Sequence, residues 1–342
     1  MSNMIYVGVD DGHNNTCIYT STGHKFIMPT RAASGIQMKH AITGISESYF
    51  YESGEDFFTL GDIEKTLNSN FDNYPVSTMN RAIVNHALVK AGLGGKDISI
   101  TTGLPLRHYY KRNNLNTELI RQKKKNLLSS SNGGQIKAIK GDRKPTDYQL
   151  AKIMSHSVVS EGIASWIDLA IKIQEDGSIV IDHDFSNERV AIIDIGGRTT
   201  DIAVIEKASV DYQKSITVDH GMLNVHDRIR DLVKENHSAD ATDEKIYEAV
   251  NTNKIKLFGT YTDISDIVKQ AKSDILMNIH NEVEKRIGNG SDLAQVIFVG
   301  GGSDVFENEL KQWFRHGTVI DDPLFSNARG MAKCAMQNIG NS

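Results

Sequence analysis

The chain has 342 residues, of which 39% are hydrophobic and 24% charged, with a formal net charge of −5. This is long for one small core, ordinary for two globular domains, and too acidic for a protein that neutralises nucleic-acid phosphate over its whole surface. Two distant cysteines, Cys17 and Cys334, exclude a disulfide scaffold; with no apolar run near the ~18 residues of a membrane helix and no signal-peptide pattern, a cytoplasmic chain without membrane contact is expected.

Residues 4–9 are apolar or small and end on Asp10-Asp11-Gly12, a strand feeding a turn. Residues 17–20 and 25–28 complete a hairpin or meander around Ser21-Thr22-Gly23. From 30 to 75 the text is polar and weakly periodic and yields no element. Helical spacing predicts a helix from Thr78 to Ala91 with Gly92 as its C-cap, then a strand over 98–102 closing on Gly103-Leu104-Pro105-Leu106. Residues 107–125 are rich in Arg, Lys and Asn and include Arg121-Gln122-Lys123-Lys124-Lys125. A solvated helix face is the first expectation there, a surface for an acidic partner the alternative.

Asn132-Gly133-Gly134 reads as a turn and 136–140 as a strand. Val158, Val159, Ile163, Trp166, Ile167, Ala170 and Ile171 predict an amphipathic helix, or its approach, over 155–173. Glu175-Asp176-Gly177 turns into a short polar hairpin, an insertion before a strand at 190. The second half then repeats the first: a glycine-loop hairpin over 190–218, helices over 222–236 and 264–287, and a strand ending in glycines over 295–302. Two halves that each open on strand, acid and glycine turn predict a duplicated α/β unit.

Three loops carry the chemistry. In I-Y-V-G-V-D-D-G-H-N-N-T-C-I-Y (5–19), Gly12 permits a tight turn, and the amides of His13, Asn14 and Asn15 can form an anion nest. In V-A-I-I-D-I-G-G-R-T-T-D (190–201), Asp194 is a hard oxygen donor of the kind Mg²⁺ uses, while Gly196 and Gly197 let backbone approach phosphate oxygens. A plain antiparallel hairpin with a Gly-Gly turn is the alternative there. In Q-V-I-F-V-G-G-G-S-D (295–304), a strand passes through Gly300, Gly301 and Gly302 into a helix from about Val305, so backbone and a positive helix end face one site. Neither a Walker A loop nor a G-x-G-x-x-G fingerprint is present.

In this form and order the loops resemble the two phosphate loops and the adenosine loop of the actin/Hsp70/sugar-kinase ATPase superfamily. A more specific text is N-H-A-L-V-K-A-G-L followed by I-T-T-G-L-P-L-R-H-Y-Y-K-R-N-N-L-N-T-E, within 85–118. It is similar to the ParM/StbA plasmid-segregation actins around L-P-L and Y-Y-x-R-N-N. The resemblance runs from about 4 to 335 and is weakest over 30–75 and 236–262. It implies an α/β, actin-like ATPase fold with two related ribonuclease-H-like domains flanking an interdomain nucleotide cleft. Domain I would span 1–165, completed by about 325–342, and domain II 166–324.

The same resemblance implies ATP or GTP, with ADP or GDP as product, and Mg²⁺. Carried over residue by residue, Asp10 and Asp194 hold the metal through its waters, and Asp194 also serves catalysis. Gly12, His13, Asn14 and Asn15 form the first phosphate loop, Gly196, Gly197, Arg198, Thr199 and Thr200 the second, and Gly300, Gly301 and Gly302 the adenosine loop. Gly221, in D-H-G-M-L, resembles a glycine turn lining the cleft. Glu161, in S-E-G-I-A, aligns with the acid that orients the attacking water; a surface helix acid is the alternative. Relatives commonly place a lysine where Cys17 stands, and Gly or Thr where Arg198 stands. Arg198 is therefore expected to supply the cationic contact, unless it points to solvent.

The implied activity is γ-phosphate hydrolysis controlling head-to-tail self-association into filaments. A ParR-like adaptor on plasmid centromere DNA is implied as partner, with no direct DNA contact. The alternatives are a small-molecule kinase, for which no substrate motif stands out, and a chaperone-like ATPase.

Overall fold

Gly8 lies between the fully buried Val7 and Val9 because a helix crosses directly over it: a Cβ there would sit 1.8 Å from the carbonyl oxygen of Ala328. The computed structural model describes residues 4–37, 47–61, 63, 66–67, 69, 71–132, 135–139, 149–174 and 178–340. The turns expected at 133–134 and 175–177 lie outside them. The first apolar run is β1 (Ile5–Asp11), which returns antiparallel as β2 (Asn15–Thr20) and then β3 (Lys25–Pro29).

The stretch 30–75, featureless to periodicity, holds β4 (Ala33–Ser34) and the hairpin β5 (Ser48–Ser53) and β6 (Asp56–Gly61). Tyr49, Tyr51, Phe58 and Leu60 of this hairpin pack on Met79, Ala82 and Ile83 of helix α1 (Thr78–Lys90). Ser77 caps α1 by accepting from the Asn80 amide, and Gly92 takes φ +74° just past its end. The opposite face of α1, through Val84, Ala87 and Leu88, covers β1, so the helix is buried on both sides.

β7 (Asp97–Leu104) runs parallel to β1. Next come α2 (Leu106–Tyr109), a small hairpin of β8 (Tyr110–Lys111) and β9 (Asn114–Leu115), and α3 (Thr117–Asn132). β10 (Ile136–Ile139) joins β5, and β11 (Lys152–Ser160) lies parallel to β7. The helix expected over 155–173 is therefore shorter: Val158 and Val159 belong to β11, α4 spans Glu161–Ala170, and Ile171 opens β12 (Ile171–Ile173). A run of apolar residues suits a buried parallel strand as well as a helix, and here the β-branched pair at its start goes to the strand. β12 pairs with β13 (Ile179–Ile181) as a separate two-stranded ribbon.

After α5 (His183–Asn187), β14 (Arg189–Ile195) pairs antiparallel with β15 (Thr200–Glu206), which also takes β16 (Ser209–Val210) and β17 (Ile216–Val218). Helix α6 (Met222–His237) follows. Within the weakly similar 236–262 lie α7 (Asp243–Thr252) and a hairpin, β18 (Lys254–Leu257) and β19 (Thr260–Asp263), ahead of α8 (Ser265–Ile287). β20 (Gln295–Val299) is parallel to β14, the short helices α9 (Gly301–Val305) and α10 (Glu307–Leu310) follow, β21 (Gly317–Val319) is parallel to β20, and α11 (Ser326–Gln337) closes the fold.

The duplication is explicit in the topology. In order β2, β1, β7, β11 and in order β15, β14, β20, β21, the first pair is antiparallel and the remaining pairs parallel. α11 packs on the first sheet and on α4 at once. At Gly330 a Cβ would sit 1.8 Å from the Ala164 carbonyl oxygen of α4, so this contact is backbone on backbone. Gly330→Ala is expected to cost about 1–3 kcal/mol by forcing α11 off α4, read as a lowered denaturation midpoint; an unchanged midpoint would refute that packing. Among the described residues no helix is long and apolar enough to cross a membrane.

Candidate functional site

The parallel strands of both sheets point their C-terminal ends into one cleft, and the three glycine loops meet there. Gly12, His13, Asn14 and Asn15 line it from the first hairpin, Gly196, Gly197, Arg198 and Thr199 from the second, and Gly300, Gly301 and Gly302 from the third loop. The loops touch: a Cβ on Gly197 would lie 2.7 Å from that of Asn14, and one on Gly300 (φ +83°) 2.2 Å from Oδ1 of Asp194. Both sequence alternatives for 190–201 are thus realised, since the stretch is a hairpin and its turn forms a cleft wall.

Two residues expected on the cleft wall stand one layer behind it. Thr200 is fully buried and donates its hydroxyl to the His220 carbonyl at 2.8 Å. Gly221 is the N-cap just before α6, where a Cβ would meet the Gly196 and Gly197 carbonyl oxygens at 2.7 Å; the Met222 and Leu223 amides donate to those same carbonyls at 3.0 and 2.7 Å. They hold the second loop from beneath. The helix expected from about Val305 instead ends there, having begun at Gly301. A Cβ on Gly302 would lie 2.2 Å from Cγ2 of Ile195, so close packing overrides the poor helix propensity of glycine.

The acids gather beneath the loops. Asp10, at the end of β1, is pushed up to about 7, chiefly by burial and then by the charges of Asp194 and Asp11. Burial pushes Asp194 up to about 6. The Asn327 amide of α11 donates to Asp194 Oδ2 at 2.6 Å and also hydrogen-bonds Asp10, while its oxygen accepts from Ser165 at 2.6 Å. One amide therefore serves an acid from each sheet. Glu161 starts α4 and faces the cleft; a Cβ on Gly103 would lie 2.6 Å from its Cγ. Burial, then the charges of Asp10, Asp201 and Asp194, hold its carboxyl well above the usual range, so the surface-acid alternative fails. Asp201, opposite Asp194 on β15, is pushed to about 7 by burial.

Four such groups favour the neutral form when nothing cationic is near. Among the described residues no three His, Cys, Asp or Glu side chains are spaced to grip a metal directly. The donor set, a carboxyl from each sheet beside loops of free amides, fits a magnesium ion that keeps its water shell and meets Asp10 and Asp194 through it.

Residues 5–158 match the family model for the plasmid segregation protein ParM, N-terminal, and residues 192–312 that for the archaeal actin homologue MreB-like, C-terminal. The chain's fold is actin-like, and its N-terminal part matches the ParM family model. Its fold is similar to that of an archaeal actin homologue (18% identity, 98% of this chain and 100% of that chain, TM-score 0.75). It is also similar to a ParM from a 15-stranded filament of Clostridium botulinum (22% identity, 98% and 100%, TM-score 0.74) and to Bacillus thuringiensis ParM with ATP (16% identity, 98% and 99%, TM-score 0.65). No curated protein matches the chain.

This actin-like chain departs from expectation most at Lys123. The basic run 121–125 is not uniformly a solvated face: Arg121 is exposed and pairs with Glu118, whereas the Lys123 side chain is only 2% exposed. Its ammonium donates to both Asp11 oxygens at 2.9 Å and to the Gly103 carbonyl at 2.6 Å, and Asn80 donates to Asp11 at 2.6 Å. The signal lay in the spacing: Lys123 falls between the buried Ile120 and Leu127, on the apolar stripe of α3.

Cys17 is buried on β2 opposite Asp10, its thiol pushed well above its ordinary range by burial, and it offers no cation. Arg198 does not simply point to solvent: it lines the cleft and is ion-paired with Asp227 of α6. Asp227 in turn holds Arg230 at 2.8 Å.

The raised acids fix a pH response. Asp10, Asp194 and Asp201, near 7, 6 and 7 against an ordinary 3.8, contribute stability that is full below about 4 and lost as pH rises through 7. Buried His86 and His156, pushed down to about 3, contribute stability that is full above 6.5 and lost as pH falls. Unfolded histidines are still half protonated at pH 6.5, so up to about 7.5 the acids and the histidines act in opposite directions. Asp201→Asn isolates one acid: the nucleotide-free wild type is expected to lose thermal stability relative to this variant as pH rises from about 5 to 7.5, each displaced pK unit being worth about 1.4 kcal/mol. Scanning calorimetry at several pH values checks this, and a stability difference that does not change with pH would refute the assignment.

Proposed function

We propose that the chain is an ATP- or GTP-hydrolysing, magnesium-dependent protein that assembles head to tail into filaments and segregates plasmid DNA through a ParR-like adaptor bound to the centromere, in the cytoplasm. The observation that carries this is the meeting of three glycine loops and the acids Asp10 and Asp194 in one cleft between two sheets of the same topology. Support for assembly comes from the similar fold of a ParM filament, and support for the nucleotide from an archaeal actin homologue in complex with ADP and a ParM with ATP. We divide the chain into domain I, 1–165 with about 325–342, and domain II, 166–324. The packing of α11 on β1, β7 and α4 supports joining the C-terminal segment to domain I, while the 165/166 boundary falls inside α4.

A magnesium ion, when bound, would supply positive charge that offsets the charge developing on the transferred phosphoryl group. Asp10 and Asp194 would hold its waters, kept in place by Asn327. Backbone amides after Gly12 and Gly196 would take phosphate oxygens, and Gly300, Gly301 and Gly302 would let the nucleoside lie against backbone. Glu161, ionised once a cation occupies the site, would orient the attacking water and accept its proton on a carboxylate oxygen. Arg198, leaving Asp227, would reach the phosphates in place of the lysine that Cys17 replaces. Arg198→Ala is then expected to weaken nucleotide binding by ~10-fold or more, the loss of a charged hydrogen bond; unchanged affinity and turnover in titration and phosphate-release assays would reject this role.

The test of the whole proposal is sedimentation and light scattering of the pure protein with ATP, GTP, ADP or no nucleotide. Polymer that forms with a triphosphate and disassembles as it is hydrolysed is expected. A chain that hydrolyses nucleotide yet never sediments at any concentration or salt would overturn the filament reading.

A further inference from the structure

Both N–H groups of the Asn327 amide are spent on acids from different sheets: its nitrogen donates to Asp194 Oδ2 at 2.6 Å and hydrogen-bonds Asp10. Its oxygen accepts from the Ser165 hydroxyl at 2.6 Å. Ser165 is fully buried, and Asn327 and Asp194 are each 5% exposed, so solvent has little access to these bonds. Turned over, the amide would aim its oxygen at two carboxyls and leave both acids without this donor. The Ser165 hydroxyl holds the observed orientation by occupying that oxygen.

The helices that carry the two residues form a rigid frame. Ser165 lies four residues after Glu161, on the same face of α4. Further along α4, Asp168 accepts from Arg329 Nε at 2.9 and 2.8 Å, from Lys333 Nζ at 2.8 Å and from Ser326 Oγ at 3.3 Å. With the backbone approach of Gly330 to Ala164, these bonds pin α11 on either side of residue 327. We infer that Ser165 is a positioning residue for the magnesium site: acting through Asn327, it orients the amide that presents Asp10 and Asp194 together to the waters of the ion. The inference rests on the nucleotide-and-magnesium reading above. One face of α4 then carries both Glu161 and the anchor of the two metal-holding acids, which keeps the water-orienting carboxyl in register with them.

The test measures ADP binding to the full chain by titration calorimetry, with magnesium and with a chelator, and reads the ratio of the two affinities. The wild-type ratio is expected to stand well above one. Ser165→Ala should lower it about 5-fold, since the buried Asn327 oxygen loses its partner. Asn327→Ala should lower it about 10–100-fold, the usual effect of removing a group that orients metal-holding side chains. Alanine suits a helix at both positions. In the Asn327→Ala background Ser165→Ala should change the ratio no further, because the hydroxyl acts only through the amide. A merely structural role would weaken both affinities together and leave the ratio at its wild-type value; that result overturns the inference, as does a Ser165→Ala effect that persists in full without Asn327. Should Asn327→Ala not fold, the ratio of Ser165→Ala decides alone. Wild-type affinity that is the same with magnesium and with chelator overturns the magnesium reading itself.

Discussion

Lys123→Met is expected to destabilise the protein by about 3–5 kcal/mol, the cost of leaving a carboxylate buried without its cation. Methionine matches the volume of lysine and keeps the apolar stripe of α3, so the loss is electrostatic. Asp11 would retain only the Asn80 amide at 2.6 Å, and the Gly103 carbonyl would lose its donor at 2.6 Å. The double variant Asp11→Asn/Lys123→Met removes both charges and should recover most of the loss, because replacing a buried pair is far cheaper than breaking one. Chemical denaturation of the four proteins of this cycle measures the coupling. A single variant as stable as wild type would show that the ammonium does not hold Asp11 in solution.

Glu161→Gln is expected to lower nucleotide turnover by roughly 10²–10⁴-fold while leaving nucleotide affinity nearly unchanged. Glutamine preserves the shape of the side chain against Gly103 but cannot accept a proton from water. The split between turnover and affinity matters, since a merely structural role would move both. Phosphate release measured beside equilibrium binding decides it, and turnover within a few-fold of wild type would dismiss Glu161 as the water-orienting acid.

The strands that deliver Asp10, Asp194 and Gly300 were legible because buried β-branched runs followed by acid and glycine admit few conformations. Tyr49, Tyr51, Phe58 and Leu60 were legible in principle: they alternate inward on either side of Gly54, which takes φ +65°. Composition hid them, since Ser, Glu and Asp surround them. The β11–α4 boundary was ambiguous because Val158, Val159 and Ile163 satisfy strand and helix spacing equally. Lys123 was masked by the company of Arg121, Lys124 and Lys125, although its phase on α3 differed from that of Arg121. Asn327 had no local signal at all. Only packing brings residue 327 beside residues 10 and 194, and no spacing rule spans that distance.

The crossing of α11 over Gly8 also has a consequence for biosynthesis. Strands β14 to β21 and the helices between them lie within residues 189–319, a continuous stretch that covers one face of its sheet itself and the other with residues made earlier, among them Leu106, Ile163 and Trp166. The sheet begun by β1 closes its Val7 and Val9 face early, against α1, but must wait some 300 residues for the helix that covers its Gly8 face. The usual order, in which the first-made unit closes first, is therefore reversed. A nascent chain stalled before residue 326 would hold a protease-resistant second sheet and a first sheet still open to cleavage.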